Sequence, residues 1–179
     1  MFDKNSPPKL QPLKAKRDEV SKALQFLSTE QLVVKDISVD ENTEGYRWDL
    51  YRGEIPFWVD LIRFSGAIDL LVVYSIMFQM PDDWDEKSKA ELYKYLLELG
   101  DFSRSWDTKF FLKENTILLC ASRSGEEITS MTARYLVDTF TRFAGVLSAN
   151  IAEKFPDLVR FIINKDYPGG KEIETDVKK

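Results

Sequence analysis

Few residues of this chain could do chemistry, and histidine is not among them. Its absence removes Ser-His and Cys-His nucleophiles, imidazole general bases and nearly all catalytic zinc arrangements. Among the other reactive groups, a cluster of carboxylates and the one thiol are the candidates to weigh. Asp82, Asp83, Asp85 and Glu86 form an acidic cluster, and close carboxylates can hold a metal or share a proton. This cluster stands where a helix opens, however, and there acids cap free N–H groups and favour the helix dipole. Asp40-x-Asn42-x-Glu44-Gly45 has the alternating oxygens and the glycine of a calcium loop, yet Tyr51 occupies the position that needs a bidentate carboxylate. A solvated turn is expected. Cys120 lies in the apolar run Ile117-Leu118-Leu119 with no histidine to activate it, and reads as buried filler. Gly169-Gly170 lacks the strand, lysine and helix of a phosphate loop. No catalytic, cofactor-binding or metal-ligating residue is assigned, and no cofactor is expected.

The surrounding composition narrows the class further. The 179 residues suit one domain with tails, here residues 16–165 between a disordered 1–15 and a flexible 166–179. A domain near this size buries about 70% of its unfolded surface, enough for a core without staples. Lys and Arg number 25 against 30 Asp and Glu, a net charge of -5. That balance opposes a nucleic-acid groove, which needs clustered cations for the phosphates, and equally an anionic membrane surface. A single cysteine permits no internal disulfide and fits a reducing compartment. No stretch of about 18 uncharged apolar residues occurs, and the first residues carry no apolar signal core. A cytoplasmic location is expected.

Helices and strands must position whatever function exists. Lys16 to Ser28 carries Val20, Leu24 and Leu27 on one helical stripe, and Leu32 to Val39 reads as a strand or an extended lead-in. Three strands follow: Tyr46 to Tyr51, Ile55 to Phe64 after the Arg52-Gly53-Glu54 turn, and Ala67 to Met80 after Ser65-Gly66. Asp83 is the expected N-cap of a helix ending at Leu99, with Glu86 its reciprocal partner and Gly100 just past the end. Thr108 to Lys113 and Thr116 to Arg123 form a hairpin around Glu114-Asn115. Ser124 and Glu127 suggest a capping box for a long helix over Gly125 to Phe155, and Asp157 to Asn164 suggests a short last one. Strand runs set apart from helices imply an α+β fold with an antiparallel β-sheet, a three-stranded meander plus a hairpin.

Apolar spacing then points to contacts. Ala133, Leu136, Val137, Phe140, Phe143, Ala144, Leu147, Ile151 and Phe155 fall within about 120° of the long helix, the arc of a helix lying on a sheet. The middle helix spreads Ala90, Leu92, Tyr93, Tyr95, Leu96, Leu97 and Leu99 over roughly 220°. A second contact is expected there, with a neighbouring element of the same chain or with a second protein. In the third strand Ile68, Leu70, Val72, Tyr74, Ile76 and Phe78 point one way and Leu71, Val73 and Met77 the other. Antiparallel sheets usually keep one wet face, so either the chain's own helices cover both faces or one face receives another polypeptide. The candidate surface comprises Trp58, Ile62, Leu71, Val73, Met77, Leu92, Tyr95 and Leu99.

The order α-β-β-β-α-β-β-α resembles the type III secretion chaperone-like fold, and more narrowly the bacterial YbjN-type family of putative sensory transduction regulators. Three places carry the resemblance: Leu70 to Met80 followed by Pro81; the leucine-rich helix Ala90 to Leu99; and Phe102 through Arg123, with Asp107-Thr108-Lys109-Phe110-Phe111-Leu112. Leu99-Gly100 stands where that family often has a leucine-asparagine pair. The resemblance implies no catalytic residues. It implies a small acidic protein, often dimeric, that binds an extended segment of another protein along its sheet. The expected function is therefore a non-enzymatic protein-binding module, chaperone-like or regulatory, whose partner is another protein, a peptide segment or a second copy. The alternative is a small-ligand sensor with an aromatic pocket drawn from Trp48, Trp58 and Tyr74. No motif supports an enzyme working through carboxylates.

Overall fold

The computed structural model describes residues 12–27, 33–38, 43–52, 55–64, 68–103, 108–125 and 128–160. Helix α1 (Leu13–Gln25) leads into strands β1 (Val34–Ile37), β2 (Thr43–Arg52), β3 (Ile55–Phe64) and β4 (Ile68–Gln79). Helix α2 (Glu86–Ser103), the hairpin β5 (Thr108–Lys113) and β6 (Thr116–Ser124), helix α3 (Ser130–Lys154) and a short β7 (Val159–Arg160) follow. The sheet runs β1-β2-β3-β4-β6-β5, with every neighbouring pair antiparallel and β7 added to β4. The α+β architecture and the order from α1 through α3 are those expected, with the segment read as strand or lead-in forming β1 and a short β7 following α3.

β4 is the axis of the sheet, flanked by β3 and β6. Its ladder with β3 begins only at Trp58↔Tyr74, so Pro56, which has no N–H to donate, sits beyond that ladder. There the Ser75 hydroxyl donates to the Pro56 carbonyl at 2.6 Å. An irregularity between Ile76 and Phe78 shifts the register against β6, so Met77 and Phe78 are both buried. Phe78, expected on the face of Ile68 and Tyr74, therefore belongs to the core. The β5–β6 turn places Glu114 at φ 54, and the Asn115 side chain donates to Asp82 at 2.5 Å, tying the hairpin to the end of β4.

α1 and α3 lie on the same face of the sheet. Leu24, Val20, Phe140, Leu147 and Ile151 meet Trp48, Val59, Leu61, Leu71, Val73, Leu119 and Ala121 in one core, to which α2 adds Leu92 and Leu96. The α3 stripe is buried as its spacing predicts, with Phe155 partly so. The Trp48 indole donates to Ser21 of α1 at 3.2 Å, and Arg52 reaches Asp138 and Thr141 of α3.

Several boundaries differ from expectation, each for a local reason. α1 starts at Leu13 after Pro12, so residues 13–15 of the expected tail are helical. α2 is capped by Asp85, whose carboxylate accepts from the Ser88 N–H at 2.7 Å; Asp83 lies two residues too early, and the helix runs through Gly100 to Ser103. The β4–β6 ladder extends to Leu70↔Ser124, so Ser124 cannot cap α3. Thr129 does so in a reciprocal capping box with Thr132. Residues 159–160, expected in a last helix, pair with Phe78 and Gln79 where β4 outruns β3. The rest of that segment, the tail over 166–179, the first eleven residues, the turns at Gly53-Glu54 and Ser65-Gly66, Asp40 to Asn42 and Glu127 lie outside the described residues.

Candidate functional site

The sheet has two unlike faces. One carries the three helices; the other carries no described element. The open face is built by alternation: Arg47 and Asp49 from β2; Trp58, Asp60 and Ile62 from β3; Leu70, Val72, Tyr74 and Ile76 from β4; Leu118, Cys120 and Ser122 from β6; Lys109 and Phe111 from β5. Its aliphatic and aromatic members are half-buried by one another, and Ile68 and Phe111 are 65% and 50% exposed.

Charge on this face is concentrated at the β1–β2 side and is internally compensated. Arg47 holds Asp60 with two parallel hydrogen bonds, Nε to Oδ1 at 2.8 Å and Nη2 to Oδ2 at 2.7 Å, and Lys35 pairs with Asp49. The fork lets Asp60 be buried, because an unpaired carboxylate there would be costly. The same guanidinium stands 5.8 Å from the centre of the Tyr74 ring, which stacks on Trp58 at 5.4 Å. Burial, and then the Asp60 charge, push the Tyr74 phenol up to about 12, so it stays neutral in the physiological range. At the other side burial raises the Cys120 thiol, although Lys109 pulls it down. It is therefore a poor nucleophile. A shallow groove of about 300 Å³ runs along this end of β5 and β6, lined by Lys109, Phe111, Cys120, Ala121 and the stretch Ser122 to Ser124.

Of the residues singled out from sequence, Trp58 and Ile62 are on the open face. Leu71, Val73, Met77 and Leu92 are not surface residues: they are 1%, 0%, 3% and 0% exposed, in the core between sheet and helices. Strand alternation separates the two faces but does not say which one the helices cover. Tyr95 is half-covered by the end of α3, with its ring 5.6 Å from Phe155 and Lys154 over it at 4.0 Å. Leu99 packs against the core. Part of the wide α2 arc is thus met by the chain's own elements, while Leu97 stays 74% exposed. Ile68, Leu70, Val72, Tyr74 and Ile76, which the spacing places on one side of the strand, line the open face beside Trp58 and Ile62. Nor do Trp48, Trp58 and Tyr74 share a pocket: Trp48 is fully buried under α1, and the sheet separates it from the other two.

The covered face holds a buried ionic cluster of its own. Asp69 accepts from Lys16 at 2.5 Å and from Arg63 at 2.6 and 2.8 Å. Burial alone would raise the Asp69 carboxyl; the Arg63 and Lys16 hydrogen bonds outweigh it and hold the group below its usual range. Gly125 makes the fit, since a Cβ there would stand 2.0 Å from the Asp69 Cβ. Carboxylates elsewhere are also held down rather than up: Glu19 by Lys22 and the Ser130 N–H, Asp85 by Ser88, and Asp138, despite burial, by Arg142 and Arg52. Among the described residues no three or more Cys, Asp or Glu gather as a metal site, and no helix is long and apolar enough to cross a membrane.

Comparison with solved structures places the fold. A chain of the ExsC–ExsE complex superposes with a TM-score of 0.51 at 14% identity, over 76% of this chain and 92% of that one. A chain of the HopA1–SchA chaperone–effector complex gives 0.46 at 12% identity, over 78% and 99%. No protein-family model matches the sequence, and no curated protein matches it significantly. This chain has a type III secretion chaperone-like fold. The narrower YbjN-type resemblance gains nothing from these matches.

Proposed function

We propose that this chain is a non-enzymatic protein-binding module, chaperone-like or regulatory, which receives a segment of another polypeptide on the open face of its sheet. The observation that carries the reading is the composition of that face. β4, the central strand, presents Ile68, Leu70, Val72, Tyr74 and Ile76 there, and no described helix covers them. Monomeric proteins rarely leave a contiguous apolar patch larger than a few hundred Å² without a use for it. The fold agrees, and the solved complexes named above hold proteins of this fold with protein partners. Affinity would come from apolar burial at about 25 cal/mol per Å², less the cost of ordering the bound segment. A kinship with YbjN-type regulators rests on apolar spacing alone.

The test is a charge on the open face. Ile62→Glu is expected to leave the melting temperature within a few degrees of the parent and to abolish stoichiometric recovery of a protein partner from native lysate. Full recovery by a folded Ile62→Glu chain would remove this face as the binding site. The small-ligand alternative keeps only the Trp58–Tyr74 stack as its aromatic element. A metabolite thermal-shift screen separates the two readings.

A further inference from the structure

Resting on that reading, we propose that the open face selects an extended partner segment with two carboxylates four residues apart and an apolar residue midway between them, the acids engaging Lys109 and Lys113 on edge strand β5. The inference comes from where charge on the face is spent. Arg47 and Lys35 are committed to Asp60 and Asp49. Lys109 and Lys113 lie on the same face, opposite Cys120 and Thr116 across the hairpin, and neither has an ion-pair partner among the described residues. In a chain of net charge -5 these are the uncompensated strand charges of the open face, and both are positive.

Their setting suits a strand. Phe111 stands between them, half exposed, and the groove beside it is floored by Cys120 and Ser122. Residues four apart on a strand are separated by about 13 Å, so carboxylates four residues apart on an extended partner meet both ammonium groups while the side chain midway between them packs on Phe111. β5 is also the outer strand of the sheet, so a segment lying there reaches the lysines without crossing the compensated β1–β2 side.

Three fluorescein-labelled nonapeptides test this by anisotropy, each with valine at the first and last positions, isoleucine at the fifth and threonine at the even ones, and with glutamate, glutamine or lysine at the third and seventh. The glutamate peptide is expected to bind about tenfold more tightly than the lysine peptide at low salt, as two exposed ion pairs allow. That preference should collapse near 1 M salt, where the Debye length is about 3 Å. Lys109→Glu/Lys113→Glu should reverse the order, and Lys109→Gln/Lys113→Gln should level it, with melting unchanged in both. Equal binding of all three peptides would overturn the acidic selection while leaving the open face as a binding surface. No binding by any peptide, from a chain that sediments as a monomer, would overturn the selection and count against the binding module as well. A dimer dispersed by Ile62→Glu would instead assign the face to a second copy and overturn the proposal.

Discussion

The two faces of β4 invert the usual rule. The covered face carries Asp69, Leu71, Val73, Ser75 and Met77; the open face carries Ile68, Leu70, Val72, Tyr74 and Ile76. The face with a carboxylate and a serine hydroxyl is the buried one, and the other, apolar but for the Tyr74 phenol, carries no described helix. Each buried polar group is satisfied: Asp69 by Lys16 and Arg63, Ser75 by the Pro56 carbonyl. Satisfied polar groups are tolerated in a core, whereas an apolar surface left open marks a place for something else. Hydropathy alone therefore misorders the two faces, and the partners of the polar residues order them correctly.

The largest expected effect that breaks this comparison is at Asp69. Asp69→Asn leaves Lys16 and Arg63 buried without their counter-charge and should cost about 3–5 kcal/mol in denaturant unfolding. The pH dependence has a definite sign. The folded Asp69 carboxyl lies below its ordinary value, so its contribution is complete above the unfolded pKa of about 3.9 and is lost as pH falls through the lower folded value. Parent stability should drop in that acid window, and Asp69→Asn should flatten this part of the profile.

Adjacent leucines sharpen the contrast. Leu71→Ala should cost about 2–5 kcal/mol through lost burial and a cavity, whereas Leu70→Ala, on the open face, should cost about 1 kcal/mol or less. Equal losses would mean that the open face is packed after all. A small effect is also expected at Ser75: Ser75→Ala removes the donor to Pro56 and should lower stability by about 1 kcal/mol.

Much of the scaffold was legible because its signals are local. The bounds of β3 and β5 and the turn into β6 follow from alternation and a two-residue turn, and the α3 stripe follows from helical spacing, while β6 runs one residue further than expected. Caps were read less well. Asp83, Asp85, Ser124 and Thr129 are all competent caps by type, and only the end of the strand pairing decides which is used. The core position of Phe78 depends on an irregularity against β6 that period-two counting does not register.

For the site, residue order alone establishes that β4 is apolar on both sides, that Trp58 and Ile62 of β3 point the same way, and that histidine chemistry is absent. It does so because side-chain alternation and composition are properties of the chain alone. Only the tertiary structure decided which face the helices cover, that Leu71, Val73, Met77 and Leu92 are core, and that Asp69 finds Lys16 while Asp60 finds Arg47. Those outcomes turn on contacts between residues distant in sequence, and alternation carries no information about which side of a sheet a helix will choose.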